Sequence, residues 1–416
     1  MNKDKLHHNL RRTTHFLKWI VFSMMIGVIV GLVGVAFYKA LAWANEMRSA
    51  HEWLIYLLPA GGLLIVGLYK LCKIEKDKGT NFVLVSVRSQ EKITVKTAPL
   101  IFGATVLTHL FGGSAGKEGA ALQIGGSIAD KIGRHMKLDE KDKTVFTMCG
   151  MAAAFSAVFG TPVCAAVFSM EVVSVGVMYY AAFVPCMISS VVSYLLASFF
   201  GVHSFATTLS GVGSVTALDI GRVLLLSILV AGLSWVFCYV LKGTSKLFQK
   251  CLANPYLRIA VGGLIVIVLT KAVGTDAYNG AGTGVLASAL AGNARPEAFV
   301  LKIIFTAVTI GAGYKGGEIV PTFFTGATFG AVAGQALGLN ASFGAGLGMI
   351  GMFCGVTNCP MTSLIMSVEL FGAQGIVYFA LTCAVCYMLS GYIGLYSEQK
   401  ILYSKFRPVF IDKKVN

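Results

Sequence analysis

Six stretches of this sequence, 19–35, 53–71, 178–200, 221–241, 257–273 and 376–395, are apolar runs that approach or exceed the roughly 20 residues a helix needs to cross a bilayer. A backbone in hydrocarbon must satisfy its own N–H and C=O groups, so such runs commit the chain to helices packed side by side in a membrane. Further apolar segments around 97–111, 121–133, 322–337 and 359–371 are broken by Gly or Pro and are shorter. They predict interrupted or re-entrant helices, which membrane proteins place around binding sites and cavities. At 56% hydrophobic and 13% charged residues over 416 positions, the composition excludes a soluble globular protein of this size. The expected fold class is an all-α polytopic membrane protein with broken helices.

The formal net charge of +15 does not indicate a nucleic-acid partner, because the basic residues sit in short connections and at the two ends. Lys3, Lys5, Arg11, Arg12 and Lys18 precede the first apolar run, and Lys400, Lys405, Arg407, Lys413 and Lys414 follow the last. The positive-inside tendency then predicts a multi-pass protein of the cell membrane with both termini, 1–18 and 398–416, in the cytoplasm and an even number of crossings. The N-terminus imitates a secretory signal ending at Ala42-Trp43-Ala44, but its apolar run is too long for cleavage and is read as the first helix. The charged connection 73–78 is read as a solvated cytoplasmic turn. Ten cysteines are scattered through apolar segments, with CxxC spacing only at Cys383 and Cys386, and they are read as small packing residues. No metal-ligand cluster and no nucleophile–base pair is apparent, so neither a cofactor nor an enzyme is expected.

Glu118 stands out against this apolar background. It lies in Gly112-Gly113-Ser114-Ala115-Gly116-Lys117-Glu118-Gly119-Ala120, a carboxylate among glycines, directly before the apolar Ala121-Leu122-Gln123-Ile124. Glycines permit close backbone approach and the apolar segment starts a helix, so the loop presents N–H groups to an anion with an acid in its midst. Gly116-Lys117 is not a nucleotide loop, which needs Ser or Thr after the Lys and Gly where Phe111 stands.

The second half of the chain repeats this grammar. Gly280-Ala281-Gly282 follows Gly79-Thr80-Asn81 at an offset of 201, as Gly317-Glu318-Ile319-Val320-Pro321 follows Gly116–Ala120. Pro360 and Glu369 follow Pro162 and Glu171 at an offset of 198. A duplicated membrane domain with breaks at matching positions predicts a transporter or channel whose site lies between the repeats. Repeat 1 is taken as about 20–200 and repeat 2 as about 219–397, together one transmembrane domain with no cytoplasmic regulatory domain.

Three motifs together resemble the CLC family of anion channels and anion/proton antiporters. Gly116-Lys117-Glu118-Gly119-Ala120 is similar to its GREGP-like loop, Gly317–Pro321 to its GxFxP-like loop, and Gly150 through Glu171 to its GxAAxFxxPxxxxxFxxE segment. The resemblance implies an inverted-repeat fold, a homodimer with one pore per subunit, and Glu118 as the external gating carboxylate. It implies an anion path along Gly116, Lys117, Gly119, Ile319 and Val320. Chloride-type members carry a GSGIP-like loop whose Ser binds the central anion; here the matching place reads Gly79-Thr80-Asn81-Phe82-Val83, which makes Thr80 and Asn81 the candidates.

The chloride/proton antiporters also carry an internal proton-transfer Glu just after the position of Glu171, where this chain has Val172. Gly316-Gly317-Glu318-Ile319-Val320-Pro321 looks instead like the Gly-Gly-Glu-x-x-Pro loop of the fluoride/proton antiporter branch, which implies that Glu318 serves the proton function. The implied activity is export of fluoride in exchange for protons, with a chloride or nitrate channel or a chloride/proton exchanger of the same fold as the alternative that Thr80 keeps open. The family also lines its central site with a Tyr hydroxyl, which Tyr396 or Tyr403 would supply. Glu171 and Glu369 are expected to hold helix ends or backbone groups rather than carry protons.

Overall fold

The computed structural model describes residues 3–74, 79–89, 94, 96–202 and 205–415, with side chains from Arg12 onward. Residues 75–78, most of the charged turn expected at 73–78, lie outside the described residues.

The first half forms α1 (Lys3–Ala50), α2 (Leu58–Leu71), α3 (Thr80–Ser89), α4 (Thr97–Leu110), α5 (Glu118–His135), α6 (Glu140–Phe159), α7 (Pro162–Glu171) and α8 (Phe183–Phe199). The second half answers element by element with α9 (Ala217–Cys251), α10 (Pro255–Val273), α11 (Thr283–Leu290), α12 (Ala298–Ala312), α13 (Ile319–Ala336), α14 (Ala341–Thr357), α15 (Pro360–Phe371) and α16 (Ile376–Leu389). The start and stop signals repeat as well. Asp139 caps α6 by accepting from the Asp142 N–H at 2.7 Å, and Asn340, 201 residues later, caps α14 by accepting from the Ser342 N–H at 2.9 Å. Gly160 and Asn358, 198 apart, close the same two helices in the left-handed conformation.

Among the described residues, five helices are long and apolar enough to cross a membrane: 12–50, 52–71, 180–199, α9 and α10. The apolar run 376–395 is not a sixth. Its helix stops at Leu389 after 14 residues, where Gly391 turns the chain at φ 59°.

The helix α1 runs the depth of the molecule. Near its start Lys18 pairs with Asp142 at 2.6 Å, and near its end Arg48 pairs with Asp276 at 3.1 Å, just after α10. Some 30 residues of helix between them span about 45 Å. The C-terminal segment lies at the Lys18 end, since Arg88 of α3 donates to the Glu398 carbonyl at 2.6 Å and Thr144 of α6 reaches the Val87 carbonyl at 3.3 Å. This is called the terminal end below, and the Arg48 end the far end. The last turns of α9 lie beside that C-terminal segment, so α9 runs opposite to α1 and the repeats are inverted.

Glycine seams let the short central helices touch. A Cβ on Gly125 of α5 would overlap the Gly150 carbonyl of α6, and one on Gly330 of α13 would overlap the Gly344 carbonyl of α14. Gly125→Val is accordingly expected to push α5 from α6 and cost about 3 kcal/mol or more, read as a lower melting temperature of the purified protein; an unchanged melting temperature would contradict the seam.

The two glutamates in the last turns of α7 and α15 exchange caps across the repeats. Glu369 accepts from the Val163 and Cys164 N–H groups at the start of α7, at 2.9 and 2.7 Å. Glu171 accepts from the Met361 and Thr362 N–H groups at the start of α15, at 3.1 and 2.8 Å. Both carboxylates therefore hold helix starts, where orphan N–H groups and the helix dipole favour negative charge.

The C-terminal tail supplies two of the three strands among the described residues. β1 (Ser174–Val175) pairs in parallel with β2 (Lys400–Tyr403), and β2 pairs antiparallel with β3 (Phe410–Lys414). A tail expected only to be basic is docked because Val175, Ile401 and Val415 bury a small core of their own. The Gln399 amide also donates to the Val172 and Thr357 carbonyls, at 3.0 and 2.8 Å.

Candidate functional site

The two loops singled out in the sequence meet each other. Gly116 N donates to Gly317 O at 2.6 Å and Gly317 N donates back to Gly116 O at 2.7 Å, an isolated antiparallel bridge between equivalent residues of the repeats. A Cβ on Gly317 would stand 2.8 Å from the Gly119 nitrogen, so this approach requires glycine. The helices α5 and α13 both begin at the bridge, which brings two positive dipole ends and their free N–H groups to one place.

Glu118 is fully buried there. One carboxylate oxygen accepts from the Lys117 N–H at 3.1 Å, and the other has no hydrogen-bond partner among the described residues. A buried carboxylate oxygen left unpaired is costly. Lys117 does not neutralise it by an ion pair, as its ammonium lies 4.2 Å from the centroid of the Tyr38 ring.

Two cavities approach the bridge from opposite ends. On the far side a cavity of about 360 Å³ is lined by Tyr38, Lys117, Glu118, Val158, Phe159, Phe205, Thr283, Leu286, Val320 and Phe323. On the terminal side a cavity of about 340 Å³ has Thr80, Asn81, Gln123, Gln249, Glu318 and Tyr396 in its wall. Each cavity thus holds one of the two carboxylates of the paired loops, and the glycine bridge lies between them.

Most of the residues singled out in the sequence gather here. The Thr80 hydroxyl donates to the Gly119 carbonyl at 3.3 Å, which ties the start of α3 to the Glu118 loop. Asn81 lines the terminal cavity, but its side-chain oxygen accepts from the Glu398 N–H at 3.1 Å and so anchors the segment carrying Tyr396. Tyr396 is 2% exposed and faces that cavity. Tyr403 is elsewhere: it sits on β2, 47% exposed, with its ring against Phe410. Its Lys-x-Leu-Tyr-Ser context was in its favour, whereas depth, with Tyr396 closing an apolar helix and Tyr403 among Lys400, Lys405 and Arg407, favoured Tyr396. Ile319 is fully buried behind the bridge, and Val320 lines the far cavity.

Sequence reasoning missed Gln123 and the ring pair Phe159–Phe323. Gln123 is buried, donates to the Gly119 carbonyl at 3.4 Å, and leaves its amide oxygen unpaired among the described residues. Its signal was present, as an amide on an apolar helix one turn after Gly119. Phe159 and Phe323 pack at 5.4 Å between centroids in the far cavity wall and carried no such signal among the chain's 27 phenylalanines.

Comparisons with known proteins agree with this architecture. Residues 61–391 match the family described as voltage gated chloride channel. A relative from Pseudomonas syringae pv. tomato, described as a chloride/fluoride channel protein, is 30% identical over 97% of this chain and 91% of its own length. The crystal structure of a CLC-type fluoride/proton antiporter superposes with a TM-score of 0.89 at 29% identity, over 92% of this chain and 98% of that one. A slow cyanobacterial Cl⁻/H⁺ antiporter shares the fold at a TM-score of 0.73 and 16% identity, over 89% of this chain and 94% of that one. With the family match covering most of the chain, and with the inverted repeats and paired glycine loops in place, this protein belongs to the CLC family of voltage-gated-chloride-channel-type anion transport proteins.

Proposed function

We propose that this protein is a fluoride/proton antiporter that exports fluoride from the cell. One observation carries the reading: the second carboxylate of the site is Glu318, half-buried in the wall of the terminal cavity beside Tyr396, while the place after Glu171 is the apolar, fully buried Val172. In the cycle, protonated Glu118 leaves the bridge and frees the N–H groups at the start of α5 and α13 for an anion. Deprotonated Glu118 returns to those donors and displaces it. The unpaired oxygen of Glu118 supports this exchange of partners. Glu318 accepts or supplies the proton on the terminal side, taken here as cytoplasmic, with the far cavity external and the protein a homodimer in the plasma membrane.

Fluoride is small and strongly hydrated, so it needs compact donors to replace water. The Tyr396 hydroxyl and the second N–H of the Gln123 amide supply such donors around the terminal cavity, and the Thr80 hydroxyl joins them when it leaves the Gly119 carbonyl. Loss of a hydrogen bond to a charged ligand costs about 1.5–3 kcal/mol. Tyr396→Phe is therefore expected to weaken fluoride binding roughly tenfold or more, and Tyr403→Phe to leave it unchanged, by titration of the purified protein; the reverse order would exchange the two assignments.

Relatives described as a chloride/fluoride channel protein and as a fluoride/proton antiporter support the anion class. The reading is tested by recording fluoride, chloride and proton movements together in liposomes. Fluoride efflux with opposed proton movement, far above chloride, is expected. Chloride flux of equal rate without protons would assign the chain to the chloride-conducting alternative.

A further inference from the structure

At the far end, the positions equivalent to the terminal cavity wall border a recess of about 360 Å³ at Arg48, while Lys302 and Phe324 are fully buried. Four residues of the terminal cavity wall, Ile101, Gln123, Gln249 and Ile310, each have a partner 201 positions away in the other repeat. Those partners are Lys302, Phe324, Arg48 and His109. Lys302 is fully buried, and its ammonium donates to the Tyr278 carbonyl at 3.0 Å and the Gly280 carbonyl at 2.8 Å. It also stands 5.2 Å from the centroid of the buried Phe324 ring. Gly280 is the counterpart of Gly79, whose loop opens onto the terminal cavity.

We propose that Lys302 is a tethered cation that plugs a second, latent access route on the far side, so that the anion path there runs only past Glu118. A buried ammonium is expensive, and among the described residues no carboxylate lies within ion-pair distance of Lys302. The fold does not require it, because the equivalent position in repeat 1 is Ile101 beside an open cavity. The cost is therefore tied to what the plug does. It holds the loop before α11 by two carbonyls, and both it and Phe324 are fully buried where their counterparts Ile101 and Gln123 line a cavity. Without it, inverted symmetry would give the far end two openings, and an anion could pass without displacing Glu118.

This inference rests on the antiporter reading, and one set of liposome measurements separates the two. Wild-type protein tests that reading, since absence of fluoride/proton exchange there overturns it directly. The plug is tested in a Glu118→Gln background, where fluoride movement is expected to be blocked. Adding Lys302→Ala is expected to restore a proton-independent fluoride leak at least tenfold above Glu118→Gln alone, and adding Lys302→Met, which keeps the volume, to leave it shut. A monodisperse Glu118→Gln/Lys302→Ala protein as tight as Glu118→Gln overturns the plug. Where Lys302→Ala yields no folded protein, Lys302→Cys decides: a leak closed by an aminoethyl methanethiosulfonate reagent, which rebuilds an ammonium on the side chain, supports the plug. No leak from Lys302→Cys, or failure of both variants to fold, overturns it.

Discussion

Glu118→Gln is expected to stop fluoride turnover, with a drop of at least about 10²-fold, the usual scale for removing a positioned proton-transfer group. The carboxylate is fully buried, with one oxygen on the Lys117 N–H and the other unpaired. An amide there keeps the shape but has no charge to compete with fluoride for the N–H groups at the starts of α5 and α13. Nor can it release a proton. Efflux from liposomes of the purified variant is the measurement, and exchange at the wild-type rate would remove Glu118 from the mechanism. Glu118→Asp retains the charge with a shorter reach, so partial activity is expected from it.

Glu318→Gln has the second large effect, and a different one. Glu318 borders the terminal cavity without being part of the far-side partition. Its loss is expected to bring proton movement close to background while binding of fluoride to the purified protein persists. The ratio of proton to fluoride flux, rather than fluoride flux alone, is the informative quantity. A Glu318→Gln protein with an unaltered ratio would show that another group carries the proton. The contrast between the variants follows from their placement, one carboxylate in each cavity of a shared bridge.

Much of this was legible in the sequence. The offset of 201 places Gly116 opposite Gly317, and the structure joins those two residues by reciprocal hydrogen bonds. Repetition in a chain says which residues are equivalent, and an inverted fold brings equivalents together at its two-fold, so the centre of the site could be found by arithmetic. That Glu171 and Glu369 hold backbone groups was legible too, although that these groups are the helix starts of the other repeat was not.

What escaped were features set by tertiary contact. Tyr396 and Tyr403 sit in near-identical Leu-Tyr-Ser settings; depth along the chain favoured Tyr396, but the docking of β2 on β1 that holds Tyr403 at the surface was not legible. The run 376–395 is apolar enough for a span, yet a turn at Gly391 ends its helix early. Gln123, Phe159 and Phe323 join the cavity walls because of where α5, α6 and α13 cross, and such crossings leave no local mark in composition. The buried counterpart at Lys302 emerges only when repeat arithmetic and cavity walls are laid over one another.

The central claim is that fluoride and proton movements are obligatorily linked through this chain. It is tested most directly by reconstituting the protein in liposomes with equal fluoride on both sides and imposing a pH gradient alone. The account predicts that protons running down their gradient drive fluoride uphill in the opposite direction, and that Glu318→Gln abolishes this pumping. Fluoride that stays at equilibrium under the gradient, while moving readily down its own gradient in the same vesicles, would contradict it.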